Sequence, residues 1–290
     1  MPTGEKYRGI KDMLKQLNLV TVCQEAICPN IGDCWTGEHA TATFMLMGDT
    51  CTRACRFCAV KTGNPHGVLD GQEPYKVGQA IAQMRLGYVV LTSVDRDDLA
   101  DFGAGHFAQT VAVIKRDNPA MIVEALTPDF GGEKKLIDKL LAAQVDVFAH
   151  NLETTERLTP EVRDRRSQYR VSLKTLEIAK GLKENQYTKT SLMLGLGERD
   201  EEIIQTLKDL RSVGTDIVTF GQYLAPTARH KKFLPIKEYI TPEKFDYFKE
   251  RALDLGFLYV ASGPLVRSSY KAGEFFMQGM VKADREKNKL

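Results

Sequence analysis

Six cysteines form two triplets near one end of the chain, Cys23, Cys28 and Cys34 followed by Cys51, Cys55 and Cys58, and no cysteine comes later. The second triplet, Cys51-Thr-Arg-Ala-Cys55-Arg-Phe-Cys58, is spaced C-x3-C-x2-C. On a loop that spacing turns three thiolates towards one centre and leaves a fourth coordination position open. Thiolates favour zinc or iron-sulfur clusters. A closed structural zinc wants a fourth protein ligand, for which His66 is the nearest later residue, whereas an iron-sulfur cube with one exposed iron needs only the three. The first triplet lies in CQEAICPNIGDC, spaced C-x4-C-x5-C, where Pro29 and Gly32 favour a looped path over a rigid helix. It suits a zinc knot completed by His39, or a second cluster whose last iron is ligated from elsewhere or left open.

The chain is long enough to build a core around such centres. It has 290 residues, 43% apolar and 27% charged, far from the composition of a disordered segment. Forty basic and 38 acidic side chains leave a formal charge of +2, which argues against an obligate nucleic-acid binder. An even cysteine count can mean disulfides, but disulfide frameworks belong mainly to small secreted chains. The start MPTGEKYRGIKDMLKQLNL lacks the apolar run of about 7 to 15 residues and the small-residue cleavage site of a secretory leader, and no stretch nears about 18 apolar residues. The expected setting is the reducing cytoplasm, without membrane or nucleic-acid partners. A mature organelle protein would read the same way.

After the cysteines, β-type runs alternate with helical patterns. Strands are expected over Thr43–Met47, Tyr88–Thr92, Met121–Leu126, Val145–Ala149, Thr188–Leu194 and Ile217–Tyr223. Helices are expected over Lys76–Leu86, Gly105–Lys115, Lys134–Ala143, Tyr169–Lys180, Asp200–Val213 and Pro242–Leu255. Asp200 is placed as the cap before an acidic first turn, and Thr241-Pro242 starts the last helix with proline at its first position. Strands each followed by a helix of this length require a parallel sheet. Six such units indicate an α/β fold, an open or partial barrel, with a doubly wound sheet as the alternative. A short run, Leu258–Ala261, either closes the sheet edge or leads into the tail. Arg229, His230, Lys231 and Lys232 form a basic run after the last long strand, by default a solvated face.

The cysteine loop after a first strand, with Phe57 before its last cysteine, resembles the radical S-adenosylmethionine superfamily. The resemblance implies a partial (β/α)6 barrel in which Cys51, Cys55 and Cys58 hold a [4Fe-4S] cluster whose open iron takes S-adenosylmethionine. Both triplets together, with LTSVDRDDL, HNLET, SLMLGLGE, GQYLAPT and RSSY, resemble the lipoyl synthases over roughly residues 20 to 270. In that family the first triplet holds an auxiliary [4Fe-4S] cluster, and the serine before tyrosine in RSSY is its further ligand, which maps to Ser269. From residue types alone RSSY is a polar turn. The implied activity is radical insertion of sulfur at C6 and C8 of an octanoyl group on a carrier-domain lysine. It uses two molecules of S-adenosylmethionine per product and draws sulfur from the auxiliary cluster, which must then be repaired.

The resemblance also carries the division 1–40, auxiliary-cluster segment; 41–256, barrel; 257–290, segment returning the serine, with both terminal segments covering the open face. Its partners are octanoylated lipoyl carrier domains (glycine cleavage H protein or 2-oxoacid dehydrogenase E2 subunits), a ferredoxin or flavodoxin reductant and a cluster repair protein. Barrel enzymes place chemistry at the carboxyl ends of strands. Thr92, Ser93 and Asp95 after the second strand are therefore candidate cofactor or substrate contacts, as are His150, Asn151 and Glu153 after the fourth. The resemblance favours Asn151 and makes Arg163 a candidate for the methionine carboxylate; otherwise Arg163 and Lys174 are solvent-facing helix charges and His150 is structural. Gly195-Leu196-Gly197-Glu198 lacks the residues of a phosphate loop, and its glycines are expected to let the backbone approach the adenosyl group. Gln222 and Tyr223 end the sixth strand, and Gln222 is expected in the cavity.

Overall fold

A computed structural model describes residues 5–25, 43–84, 87–183, 185–226, 232–268 and 279–286, the side chains of residues 5–7 and Cys23 excepted. Strands β1 (Val20–Thr21), β2 (Thr43–Leu46), β5 (Tyr88–Ser93), β6 (Ile122–Leu126), β7 (Val147–Ala149), β8 (Tyr187–Leu194), β9 (Ile217–Gln222) and β10 (Tyr259–Gly263) form one sheet in chain order. Every pair from β2 to β10 is parallel, and only β1 runs antiparallel, on β2. The crossovers are the helices Glu73–Met84, Ala104–Asp117, Lys134–Leu141, Tyr169–Leu182, Asp200–Ser212 and Pro242–Asp254. The strand order runs sequentially without the reversal that a doubly wound sheet requires, so six strand-helix units make a partial barrel with β1 and β10 at its edges. The run at Leu258 becomes strand β10, which extends the parallel sheet to Gly263.

A local capping rule holds at the start of the last crossover helix. Thr241 caps the last crossover helix, its hydroxyl accepting from Lys244 N at 3.3 Å, with Pro242 first in the helix. The helix at Asp200 begins where its expected range does, but Asp200 is its first helical residue and not its cap. Arg199 takes the cap position, its N–H donating to Glu202 Oε2 at 2.9 Å, while Arg157 holds the same carboxylate at 2.5 Å.

The amino ends of the strands are braced twice in one manner. Asp146 accepts from Val123 N and pairs with Lys115, whose ammonium also reaches Met121 O; Asp216 accepts from Thr188 N and pairs with Lys180, which also reaches Gln186 O. Helical residues 279–286 then cover this mouth of the barrel. Val281 is buried against Tyr88, Val90, Ile122, Val147 and Ile217, Arg285 pairs with Asp146 at 2.7 Å, and Tyr187 O–H donates to Asp284. Val281→Asp is expected to cost about 3 kcal/mol by placing an unpaired charge in an apolar layer, read as a lower denaturant midpoint at unchanged m-value.

Candidate functional site at the carboxyl ends of the strands

The cysteine loop leaves β2 through Met47 and Gly48, both with positive φ. Met47 N donates to Glu73, and the Glu73 carboxylate meets His106 Nε2 at 2.6 Å, so a buried pair fixes the exit of the strand. Short strands β3 (Thr50–Cys51) and β4 (Lys61–Thr62) pair and close the loop at its base, with Gly63 N donating to Cys51 O. Between them stand Cys51, Cys55 and Cys58, all free thiols lining one cavity of about 260 Å³. Thr92, Ser93, Asn151 and Arg163 line the same cavity.

Arg53, inside the cysteine motif, is the residue that residue-by-residue reasoning missed. Its guanidinium is only 4% exposed and binds Asp129 with two nitrogens, at 2.6 and 2.9 Å. It also meets Asp97 at 3.0 Å, Asp95 at 3.4 Å and Ser167 Oγ at 3.0 Å. One side chain thus ties the cysteine loop to the ends of β5 and β6. An arginine between two candidate ligands was visible in sequence, but nothing local showed three carboxylates waiting for it.

The electrostatics are set by burial. Desolvation, with Asp95 adding, pushes the Cys51 thiol up to about 12, and desolvation takes Cys55 to about 11 and raises Cys58. Burial lifts Asp95 to about 6 against the pull of Arg53, and its carboxylate lies 3.6 Å from Cys51 Sγ. The bare pocket favours neutral thiols, and a bound cationic centre is what makes such thiols ionise. Among the described residues no three His, Cys, Asp or Glu side chains are grouped closely enough to hold a single metal ion. A cuboidal cluster asks for a different arrangement, with each thiolate on its own iron. His66, the candidate fourth zinc ligand, is exposed and does not line the cavity.

Among the residues lining the cavity, two carry a buried polar atom without a hydrogen-bond partner, Ser93 Oγ and Arg163 Nε. Buried donors without partners are rare, and both belong to residues lining the cavity. Arg163 is held by a chain of bonds. Its Nη1 donates to Ser172 Oγ at 2.8 Å, the Ser172 hydroxyl donates to His150 Nε2 at 2.8 Å, and His150 Nδ1–H donates to Thr127 O at 2.9 Å. This assigns His150 as the neutral Nδ1–H tautomer. Burial and the nearby Arg163 press its pKa down to about 4. The unfolded chain then binds the proton first as pH falls. Stability conferred by neutral His150 is therefore present above pH about 6.5 and is lost progressively towards pH about 4, by roughly 3 kcal/mol at most. Urea titrations across that window should show a slope that His150→Gln removes; an unchanged slope would exclude His150 as its source.

Glu153 also faces the cavity, with φ of 70° and a carboxyl raised by burial. A non-glycine residue in the left-handed region marks a position held by its surroundings for a purpose other than backbone comfort. Lys232, from the basic run, lines the cavity and reaches Thr62 Oγ1 at 3.3 Å, which corrects its reading as part of a solvated face. Lys174 is exposed and stays outside the site.

Two expectations about the later strands are corrected. Gln222 does not line the cavity: its Nε2 donates to Leu194 O, Tyr223 O and Glu238 O, and its Oε1 accepts from Ile240 N, so the amide is spent on tying loops together. Gly195 does not line the cavity either and is required by that clamp, since a Cβ there would sit 2.4 Å from both Gln222 Nε2 and Glu238 O, at φ +99°. Tyr223 is buried, its hydroxyl donating to Leu234 O. Cys28, Cys34, His39, Arg229, His230, Lys231 and Ser269 lie outside the described residues, as does the side chain of Cys23. Their chain neighbours Val22 and Ser268 both line the thiol cavity.

Residues 45–210 match the radical SAM superfamily. The chain is 57% identical over 287 residues to the mitochondrial lipoyl synthase of Scheffersomyces stipitis, covering 98% of this chain and 71% of the relative. It is 54% identical over 302 residues to mitochondrial lipoyl synthase 1 of Phaeodactylum tricornutum, covering 99% and 75%. The chain belongs to the lipoyl synthase family. It is a radical S-adenosylmethionine enzyme, using S-adenosylmethionine and a [4Fe-4S] cluster. Solved structures share the fold alone. The FeFe-hydrogenase maturase HydG from Carboxydothermus hydrogenoformans gives a TM-score of 0.59 at 14% identity, covering 87% of this chain and 65% of that one. Methylornithine synthase (PylB) gives 0.54 at 14%, covering 92% and 87%.

These lipoyl synthases are mitochondrial proteins, which corrects the cytoplasmic expectation. Cysteine usage reports whether a compartment keeps thiols reduced, and that property does not distinguish the cytosol from other reducing compartments.

Proposed function

We propose that this protein inserts two sulfur atoms, at C6 and C8, into an octanoyl group amide-linked to a lysine of a lipoyl carrier domain, in the mitochondrial setting of its relatives. The observation that carries the reading is one cavity lined both by three thiols and by two residues with buried, unpartnered polar atoms, in a chain of this family. When bound, the cluster and S-adenosylmethionine supply the radical that removes hydrogen from an unactivated carbon, and a second cluster supplies the sulfur.

The chain's own residues bind, orient and shield. Cys51, Cys55 and Cys58 hold the first cluster, and Arg53 keeps their loop against the strand ends. Arg163 Nε–H is free to donate to the carboxylate of the cofactor and the Ser93 hydroxyl to accept from its amino group, with Thr92 and Asn151 beside them. Neutral His150 keeps Ser172, and through it Arg163, in position. Met45, Val60, Val94 and Leu126 give the cavity the apolar wall that an alkyl chain needs, and exclusion of water protects the radical.

The second cluster is assigned to Cys23, Cys28 and Cys34 with Ser269 as further ligand. Val22 and Ser268 lining the thiol cavity support this, because they bring both chain segments to the place where sulfur must be delivered. The same assignment makes 1–40 and 257–290 the segments that complete the barrel of 41–256. The partners that follow are octanoylated glycine cleavage H protein or 2-oxoacid dehydrogenase E2 subunits, a ferredoxin or flavodoxin, and a cluster repair protein.

Reduced, reconstituted protein incubated with S-adenosylmethionine and an octanoyl-lysine peptide is expected to yield peptide carrying two added sulfurs, together with 5'-deoxyadenosine. Nucleoside without thiolated peptide would reject the substrate assignment.

A further inference from the structure

Beneath the cavity, the barrel interior carries a charge pair that no step above uses. Thr92 and Leu126 line the cavity from β5 and β6. Side chains two residues apart on a strand share a face, so Val90 and Tyr88, and Glu124 and Ile122, point down the same interior. Glu124 is 0% exposed and sits one inward position below Leu126. From β8, Lys189 reaches across the small Ala149 of β7 and meets both carboxylate oxygens, at 2.8 and 2.9 Å. The Tyr88 hydroxyl donates to Glu124 Oε2 at 2.5 Å from the other side. Below this layer the interior turns apolar again, with Ile122, Val147, Ile217 and Val281 packed together.

A buried ion pair is a weak stabiliser compared with well-packed apolar residues of similar volume. Ile122, Val147, Ile217 and Val281 pack below it, and Leu126 stands beside Thr92 above it, so stability alone gives little reason for charge at this level. The pair does not itself line the cavity; it stands one inward position beneath Leu126, which does, and closes the barrel interior under it. A longer alkyl chain could pass this level only by parting the pair, which would replace hydrogen-bonding partners with methylenes and leave buried charges unsatisfied. With apolar residues in its place, the cavity would rest on an apolar shaft leading down to Val281.

We propose that the Glu124–Lys189 pair, braced by Tyr88, is the floor of the substrate cavity and sets the acyl length at eight carbons by refusing the methyl end of a longer chain. The inference rests on the octanoyl-lysine reading above. It makes these residues specificity determinants, without a part in hydrogen abstraction or sulfur transfer.

The test compares octanoyl-, decanoyl- and dodecanoyl-lysine peptides on the reconstituted holoenzyme and on the variant Tyr88→Phe, Glu124→Leu, Lys189→Met, which removes the charges together so that none is left unpaired. Each methylene in a pocket is worth about 10- to 200-fold in discrimination. The parent should therefore prefer octanoyl over decanoyl by at least about 100-fold in kcat/KM for thiolation, and the variant should narrow that ratio by at least about tenfold. An unchanged ratio overturns the proposal.

A second measurement keeps the question open to refutation if the variant does not fold. An octanoyl-lysine peptide with a diazirine at its terminal carbon, photolysed on the parent holoenzyme, should label Val90, Glu124, Ala149 or Lys189. Labelling confined to Phe57, Val60 or other residues of the cysteine loop overturns the floor assignment. A parent enzyme that does not thiolate the octanoyl peptide at all would instead overturn the reading on which the proposal rests.

Discussion

Alanine in place of any one of Cys51, Cys55 and Cys58 is expected to reduce 5'-deoxyadenosine formation to background, a loss of more than about 10⁶-fold, because accelerations of that size are carried here entirely by the group the thiols hold. The parent should bind about eight irons and eight sulfides, and each single variant should lose about four of each while keeping the other cluster. Among the described residues, His66 is exposed and outside the cavity, and Asp95 and Asp129 are engaged by Arg53, so none of these three stands ready to replace a missing sulfur. Anaerobic reconstitution followed by iron, sulfide and nucleoside analysis checks this. One tightly held zinc and no iron in the parent would sink the assignment.

Arg53→Ala should be the most damaging change outside the ligands. Its removal leaves Asp129, 1% exposed, without its bidentate partner and strips Asp97 of a second bond. Breaking a buried pair from one side costs about 3 to 5 kcal/mol, and here the cost falls on the loop that carries the ligands. The variant should unfold at markedly lower denaturant and retain less than half of the first cluster's iron. Arg53→Lys should recover little, since a single ammonium cannot span Asp129, Asp97 and Ser167 together. Full recovery by lysine would show that only the charge matters. Normal iron content and stability in the alanine variant would show that the loop is fixed without the clamp.

The exit of the loop from β2 shows why such devices escape sequence reading. Met47 ends an expected strand, Glu73 precedes the helix expected from Lys76, and His106 lies in the helix expected from Gly105, and none of these positions points to the others. Only the packing of helices Glu73–Met84 and Ala104–Asp117 against β2 turns them into a buried pair holding a backbone N–H. Gln222 shows the reverse error. At the end of a barrel strand it has the position of a site residue, yet four backbone partners consume its amide. Position along a strand specifies which end of the barrel a residue occupies; it does not specify what its neighbours will demand of it.

The six strand-helix units, the parallel sheet they require, the cysteine spacing and the position of Thr92, Ser93 and Asn151 at or just after strand ends were legible in sequence alone. Each depends on periodicity or on residues close along the chain, where covalent geometry leaves few alternatives. The residues by themselves made Arg163 a solvent-facing helix charge and left a doubly wound strand order open. The family likeness extended that reading to the substrate and to the second cluster. Tertiary structure decided what lies between distant residues. Arg53 finds Asp129 across 76 residues and Ser167 across 114, and Glu124 finds Lys189 across 65. Such pairs leave no periodic trace, because a buried charge is matched by whichever partner the closed barrel brings within reach, and that becomes defined only when all the strands are in place.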